Sequence, residues 1–139
     1  MNGGRGKKEG RGKKVLIVDN DESTLMILQK VLEREGFDTC LTWSGHEALE
    51  LLRSQNFDVL LVDDYLPDLH HHDFLARVSR LPLQPWVVVM QATEPTQDDR
   101  RQYAELGAFA VVAKHHIGKV CKAALQCTID EPLARAYAN

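Results

Sequence analysis

Five short runs recur along this chain at intervals that leave room for a helix between each pair: Val15–Val18, FDTCLTW (37–43), FDVLLVD (57–63), WVVVMQA (86–92) and FAVVA (109–113). They are near-continuous in apolar residues rather than alternating. A strand with one wet face shows a polar residue at every second position; a strand apolar at successive positions is covered on both faces, as in a parallel sheet. The intervening segments carry helical spacing. Leu25, Leu28 and Leu32, with Ile27 and Val31, fit one helix face, opened by Asp21 or Ser23 and closed near Gly36. SGHEALELLRSQ opens at Ser44 and turns Ala48, Leu49 and Leu52 inward. LHHHDFLARVSRL reads as a helix stopped before Pro82, TQDDRRQYAELGA as one ending at Gly107, and IGKVCKAALQCTI as a last one. Strands and helices in strict alternation predict an α/β fold: a doubly wound five-stranded parallel sheet with five helices.

In such a fold, ligands bind outside the carboxyl ends of the strands. The residues predicted there are Asp19, Asn20 and Asp21 after the first strand, Asp63 and Asp64 after the third, Gln91, Ala92 and Thr93 after the fourth, and Lys114 after the fifth. A carboxylate at the end of a buried strand is costly unless a partner answers its charge. Clustered carboxylates with no clustered cysteine or histidine beside them suit a hard cation such as Mg2+. A lysine on the same rim supplies a point charge suited to phosphate, and one carboxylate could then accept a phosphoryl group as a nucleophile. Neither GxGxxG nor GxxxxGK[ST] occurs, which disfavours a nucleotide-binding enzyme. The plainer alternative makes Asp19 and Asp63 turn or capping residues and Lys114 their ion-pair partner.

Composition narrows the classes further. A chain of 139 residues is long enough for one domain with a real core. No apolar run approaches the ~18 residues needed to cross a membrane, and no apolar segment follows the basic N-terminus as a secretory signal requires. Three cysteines, Cys40, Cys121 and Cys127, form an odd set without metal-type spacing and read as reduced thiols, which points to a cytoplasmic protein. Residues 1–14 hold six basic side chains against one acid, a surplus of five, so residues 15–139 carry −8 of a whole-chain −3. Residues 1–13 are expected to be a disordered basic tail. The acidic body disfavours nucleic acid as a partner.

The blocks VLIVDNDES, FDVLLVDDYLPD and ELGAFAVVAK, at their spacing, resemble the response regulator receiver domain of two-component signalling. The resemblance covers about residues 14–127, leaving 128–139 as a C-terminal tail. It implies a flavodoxin-like fold with strand order 2-1-3-4-5. It also implies a phosphoryl group taken from a sensor histidine kinase or histidine phosphotransfer protein, with Mg2+ bound, slow self-hydrolysis, and a conformational change read by a downstream partner. That makes the chain at most a self-phosphorylating and autodephosphorylating domain rather than an enzyme of ordinary turnover. The family's acceptor lies four residues before the loop proline, which from Pro67 gives Asp63. The implied metal set is Asp19, Asn20, Asp63 and the backbone carbonyl of Tyr65. Lys114 maps onto the phosphate-binding lysine.

Several positions depart from the family pattern. Asn20 stands where the family has an acid; its amide oxygen can ligate a metal but brings no charge. The hydroxyl expected after the fourth strand falls on Gln91, on Ala92 or on Met90, depending on how the runs are matched, and none is Ser or Thr. The aromatic switch position is Val111, and His115 replaces the proline after the lysine. Because a cis bond before a non-proline residue costs roughly 3 kcal/mol, a trans peptide is expected there. His71 stands where the family has glycine. These changes support a second expectation, a degenerate receiver that acts as a phosphorylation-independent protein-binding module through Val111 and the last helix. His70, His71 and His72, if all helical, splay over roughly 200° and cannot share one ion. Twelve residues follow Cys127, so either a stand-alone receiver or a piece of a longer protein is expected.

Overall fold

A computed structural model describes residues 12–129. The expected tail over 1–13 falls almost wholly outside them, as do residues 130–139. The elements are β1 (Lys14–Val18), α1 (Glu22–Arg34), β2 (Asp38–Thr42), α2 (Gly45–Ser54), β3 (Val59–Asp63), α3 (His71–Val78), β4 (Trp86–Gln91), α4 (Gln97–Glu105), β5 (Ala110–Ala113) and α5 (Ile117–Ile129). The strands form one five-stranded sheet in the order β2-β1-β3-β4-β5, and every pairing is parallel. The last helix continues two residues beyond 127, through Ile129.

The apolar runs are continuous because both faces of the sheet are covered. Leu16, Val18, Leu60, Val62, Val87 and Val89 pack on one side with Leu49 of α2, Phe74 of α3 and Tyr103 of α4. Val15, Ile17, Val59, Leu61, Val88 and Met90 point the other way, onto Leu25, Leu28 and Leu32 of α1 and Val120, Ala124 and Cys127 of α5. Neighbouring residues of a strand point to opposite faces, so each strand feeds both layers. Burying one such Val, Leu or Ile side chain stabilises the fold by about 1.5–3 kcal/mol.

Local chemistry places the helix boundaries. Of the two candidate caps for α1, Asp21 takes the role: its carboxylate accepts from Ser23 N–H at 3.2 Å and from the Thr24 hydroxyl at 2.7 Å. Ser44 caps α2 by accepting from Glu47 N–H at 3.0 Å. Gly36 and Gly107 sit just past α1 and α4 with φ of 96° and 97°, a left-handed conformation that lets the chain leave a helix without a Cβ clash.

Three expectations are corrected. Ile27 does not belong to the buried face of α1; it is 49% exposed, because it lies about 100° round the helix from Leu28 and about 200° from Leu25. The third helix is shorter than its pattern, ending at Val78; Ser79 is its C-cap, and its hydroxyl donates to the Ala76 carbonyl at 2.7 Å. The three histidines do not splay. His70 is the N-cap of α3, in extended conformation, so only His71 and His72 are helical. The three rings gather with centroids 4.4, 4.7 and 5.3 Å apart.

Candidate functional site

The sheet register assembles the rim. Val18 pairs with Val62, Asp63 with Met90, and Gln91 with Ala113. The residue after β1, the last residue of β3 and the residue after β5 therefore stand at one edge of the sheet. There Lys114 Nζ lies 2.7 Å from Asp19 Oδ2 and donates to Asp63 Oδ2 at 3.0 Å. Asp19 is fully buried and Asp63 nearly so. Asp19 Oδ1 accepts from Asp21 N–H at 2.8 Å, which fixes its rotamer, and Asp63 Oδ1 accepts a longer contact from Tyr65 N–H at 3.4 Å. Lys114 is set in turn by its own backbone, whose N–H donates to the Gln91 carbonyl at 2.8 Å.

One ammonium thus answers two buried carboxylates. Burial pushes both Asp19 and Asp63 above the ordinary carboxylate range, and the hydrogen bonds and charge of Lys114 pull the other way. Asp63 also raises Asp19 by its charge, and Asp64 raises Asp63 by a side-chain contact. Burial pulls Lys114 down, but the two aspartates outweigh it and hold the ammonium above its usual value. The rim keeps a surplus of negative charge. Asp19 Oδ2 is buried and makes no well-directed hydrogen bond; only the nearby ammonium answers it. Such an oxygen suits a hard cation, so the donor set fits Mg2+ in kind.

The remaining expected site residues are placed less evenly. Asn20 is exposed directly after Asp19, and Tyr65 is 65% exposed with its backbone against the Asp63 carboxylate. Asp21, a possible substitute acid, is committed to capping α1. The Gln91 backbone reaches Lys114, but its buried side chain turns toward α4. Its amide Nε2 donates to Asp99 Oδ2 at 3.0 Å and to the Thr93 carbonyl at 3.1 Å. Ala92 is exposed and has no side-chain donor. Val111 is buried in β5 beside Val89 and lines an open cleft of about 300 Å³ with Tyr103 and Arg100 of α4. None of the described peptide bonds is cis.

Two side chains near the rim escape a reading of motifs. The His71 ring packs on Tyr103 with centroids 5.6 Å apart and shares a hydrogen bond with the Asp64 backbone; burial, then the neighbouring His70 and His72, lower its pKa. Burial, with the charges of Asp64, Asp99 and Asp63, pushes the Tyr103 hydroxyl up to about 12. The signal in the sequence was His71 in place of glycine, which puts a ring where the family has none.

The fold of this five-stranded sheet is shared with solved structures. The family model described as "Response regulator receiver domain" matches residues 15–125, and the chain belongs to that family. Receiver domains generally accept a phosphoryl group, bind Mg2+ at their acidic site and work with histidine kinases or phosphotransfer proteins.

The chain is 34% identical over 110 residues to protein-glutamate methylesterase/protein-glutamine glutaminase 1 of Albidiferax ferrireducens, covering 76% of this chain and 30% of that protein. It is 31% identical to the alkaline phosphatase synthesis transcriptional regulatory protein PhoP of Bacillus subtilis, covering 73% of this chain and 42% of that one. It spans less than half the length of these relatives. Among solved structures, a Francisella response regulator receiver domain superposes with a TM-score of 0.79 at 21% identity, covering 86% of this chain and 99% of that chain. The receiver domain of a putative Luxo repressor from Vibrio parahaemolyticus superposes with the same score at 16% identity, covering 91% and 98%. No helix among the described residues is long and apolar enough to cross a membrane.

Proposed function

We propose that this chain accepts a phosphoryl group on Asp63 from a phosphohistidine of a sensor kinase or phosphotransfer protein and signals through a protein partner. The observation that carries this reading is Lys114 Nζ lying within 3.0 Å of two carboxylates, Asp19 just after β1 and Asp63 at the end of β3, at the carboxyl edge of the sheet. A carboxylate oxygen of Asp63 attacks phosphorus as the P–N bond to the histidine breaks; the imidazole leaves with the bonding pair and takes up a proton. Lys114 is positioned to answer the charge on the phosphoryl oxygens. Asp19, Asp63, the Asn20 amide oxygen and the Tyr65 carbonyl are the groups that would hold Mg2+. When bound, that ion supplies charge neutralisation for the incoming group. The acidic body supports a protein partner rather than nucleic acid, and a cytoplasmic setting belongs to the same reading.

Incubation with acetyl phosphate and Mg2+ tests the proposal. Intact mass spectrometry should show one phosphoryl adduct that Asp63→Asn abolishes; no adduct at any Mg2+ concentration overturns it. Asn20→Asp should tighten Mg2+ binding. A unit charge about 4 Å from the ion contributes several kcal/mol before desolvation is subtracted, so calorimetry should read a gain of about tenfold or more.

A second reading, a degenerate receiver that binds its partner without phosphorylation, is favoured by Gln91. Its side chain already ties β4 to α4 through Asp99, where a hydroxyl free to meet a phosphoryl group is expected. Acetyl phosphate distinguishes the two: an adduct seen only in Asn20→Asp supports the degenerate reading.

A further inference from the structure

The loops after β4 and β5 meet again beyond the acidic rim. Their bases are joined by the Lys114 N–H to Gln91 carbonyl hydrogen bond. Farther out, Glu94 Oε2 lies 2.9 Å from His116 Nε2 and 3.9 Å from His115 Nε2, and the two imidazoles pack with centroids 4.1 Å apart. One ligand atom from each residue lies within 4.8 Å of the other two. Among the described residues, this is the group of three His, Cys, Asp or Glu side chains that comes so close.

Tetrahedral zinc, with bonds of about 2.0–2.1 Å, sets its ligand atoms roughly 3.4 Å apart. The distances of 2.9 and 3.9 Å bracket that spacing. The side chains are 44–57% exposed, so small rotamer shifts close the gap and solvent can supply a further ligand. Two imidazoles and a carboxylate form the donor set of zinc-type sites that keep an open position. Imidazole disfavours Mg2+, so the ion suited here differs from the one suited to the acidic rim. The His70–His72 group is a poorer candidate: His70 Nδ1 already accepts from His72 N–H at 3.2 Å, and His71 bonds the Asp64 backbone.

We propose that Glu94, His115 and His116 bind a divalent ion of the zinc class, which clips the β4–α4 loop to the β5–α5 loop. In its absence, Glu94 and His116 hold the same loops by a weaker, partly solvated pair. Because His115 follows Lys114 directly, the clip restrains the segment that carries the rim's cation. The site does not depend on phosphoryl acceptance at Asp63.

Calorimetric titration with Zn2+ tests this. The full chain carrying His70→Ala, His71→Ala and His72→Ala together should retain one site. Adding His116→Ala should weaken it roughly tenfold or more, since even outer partners of a ligand contribute that much; Glu94→Ala should weaken it less. Binding should survive excess Mg2+, and the His115 and His116 ring signals should shift in proportion to Zn2+. Glu94 and His116 are exposed, so adding either substitution should leave the melting temperature of the triple variant unchanged in metal-free buffer. If the triple variant fails to bind Zn2+, or binds it equally well with and without His116→Ala, the proposal is overturned.

Discussion

Lys114 sets the electrostatic balance of the rim, and its removal exposes that balance. Asp19 and Asp63 have folded pKa values raised by burial, so each favours folding most when protonated; their contribution falls as pH rises from the ordinary carboxylate range through the raised values. Lys114 has a raised folded pKa, so its contribution is complete below its ordinary value and is lost only as pH climbs through the raised one. At pH 7, Lys114→Met leaves two buried carboxylates unanswered and should destabilise the fold by about 3 kcal/mol or more. The deficit should shrink toward pH 4 as the carboxylates protonate. Urea melts at the two pH values check this, and an equal loss at both contradicts the charge assignment. Asp63→Asn, which leaves one carboxylate for one ammonium, should raise the melting temperature at pH 7. Asp19, Asp63 and Lys114 were legible in the sequence because strand ends and chemistry coincide. The direction of the Gln91 side chain was not, because it depends on Asp99 eight residues further along, on another element.

At the scale of elements, two ties outside the rim hold the site's loops. The Asp68 carboxylate in the β3–α3 loop accepts from the N–H groups of Gly45 and His46, each at 2.9 Å, and contacts His46 Nδ1 at 2.8 Å. Burial raises its pKa, but these bonds outweigh burial and lower it, so its contribution is present above the ordinary carboxylate range and is lost as pH falls through the depressed folded value. As a cap for the first turn of α2, Asp68→Ala should cost about 1 kcal/mol in a denaturant melt at pH 7, and less at acid pH. The second tie is at α4, where Thr96 and Asp99 form a capping box that Gln91 reinforces. Gln91→Ser removes a part-buried hydrogen bond worth about 1 kcal/mol, so amide exchange in the first turn of α4 should accelerate several-fold. Unchanged exchange there would remove Gln91 as a restraint on that helix. Five helices were readable from apolar spacing and Ser, Asp and Gly punctuation. The end of α3 was not: Leu81 continues the apolar pattern and is nearly buried from the loop, although the helix has already stopped.

For the molecule as a whole, stability rests on a sheet buried on both sides. Leu60 and Leu61, consecutive and fully buried, face opposite layers. Truncating either to Ala should cost about 2–5 kcal/mol in a chemical melt, with the two losses adding because the sheet separates the cavities. The same two-sidedness made the fold readable, since continuous apolar runs in strict alternation with amphipathic segments leave few other architectures open. The gathering of three histidine rings at α3 was hidden because a single cap residue left the helical path. The rim has a further consequence for the order of synthesis. A ribosome delivers Asp19 and Asp63 well before residue 114, so an emerging chain holds the two like charges without Lys114 until the segment after β5 is released. Charge balance at the rim therefore waits on the residue that follows β5, and a product cut before residue 114 lacks the group that reconciles its acids.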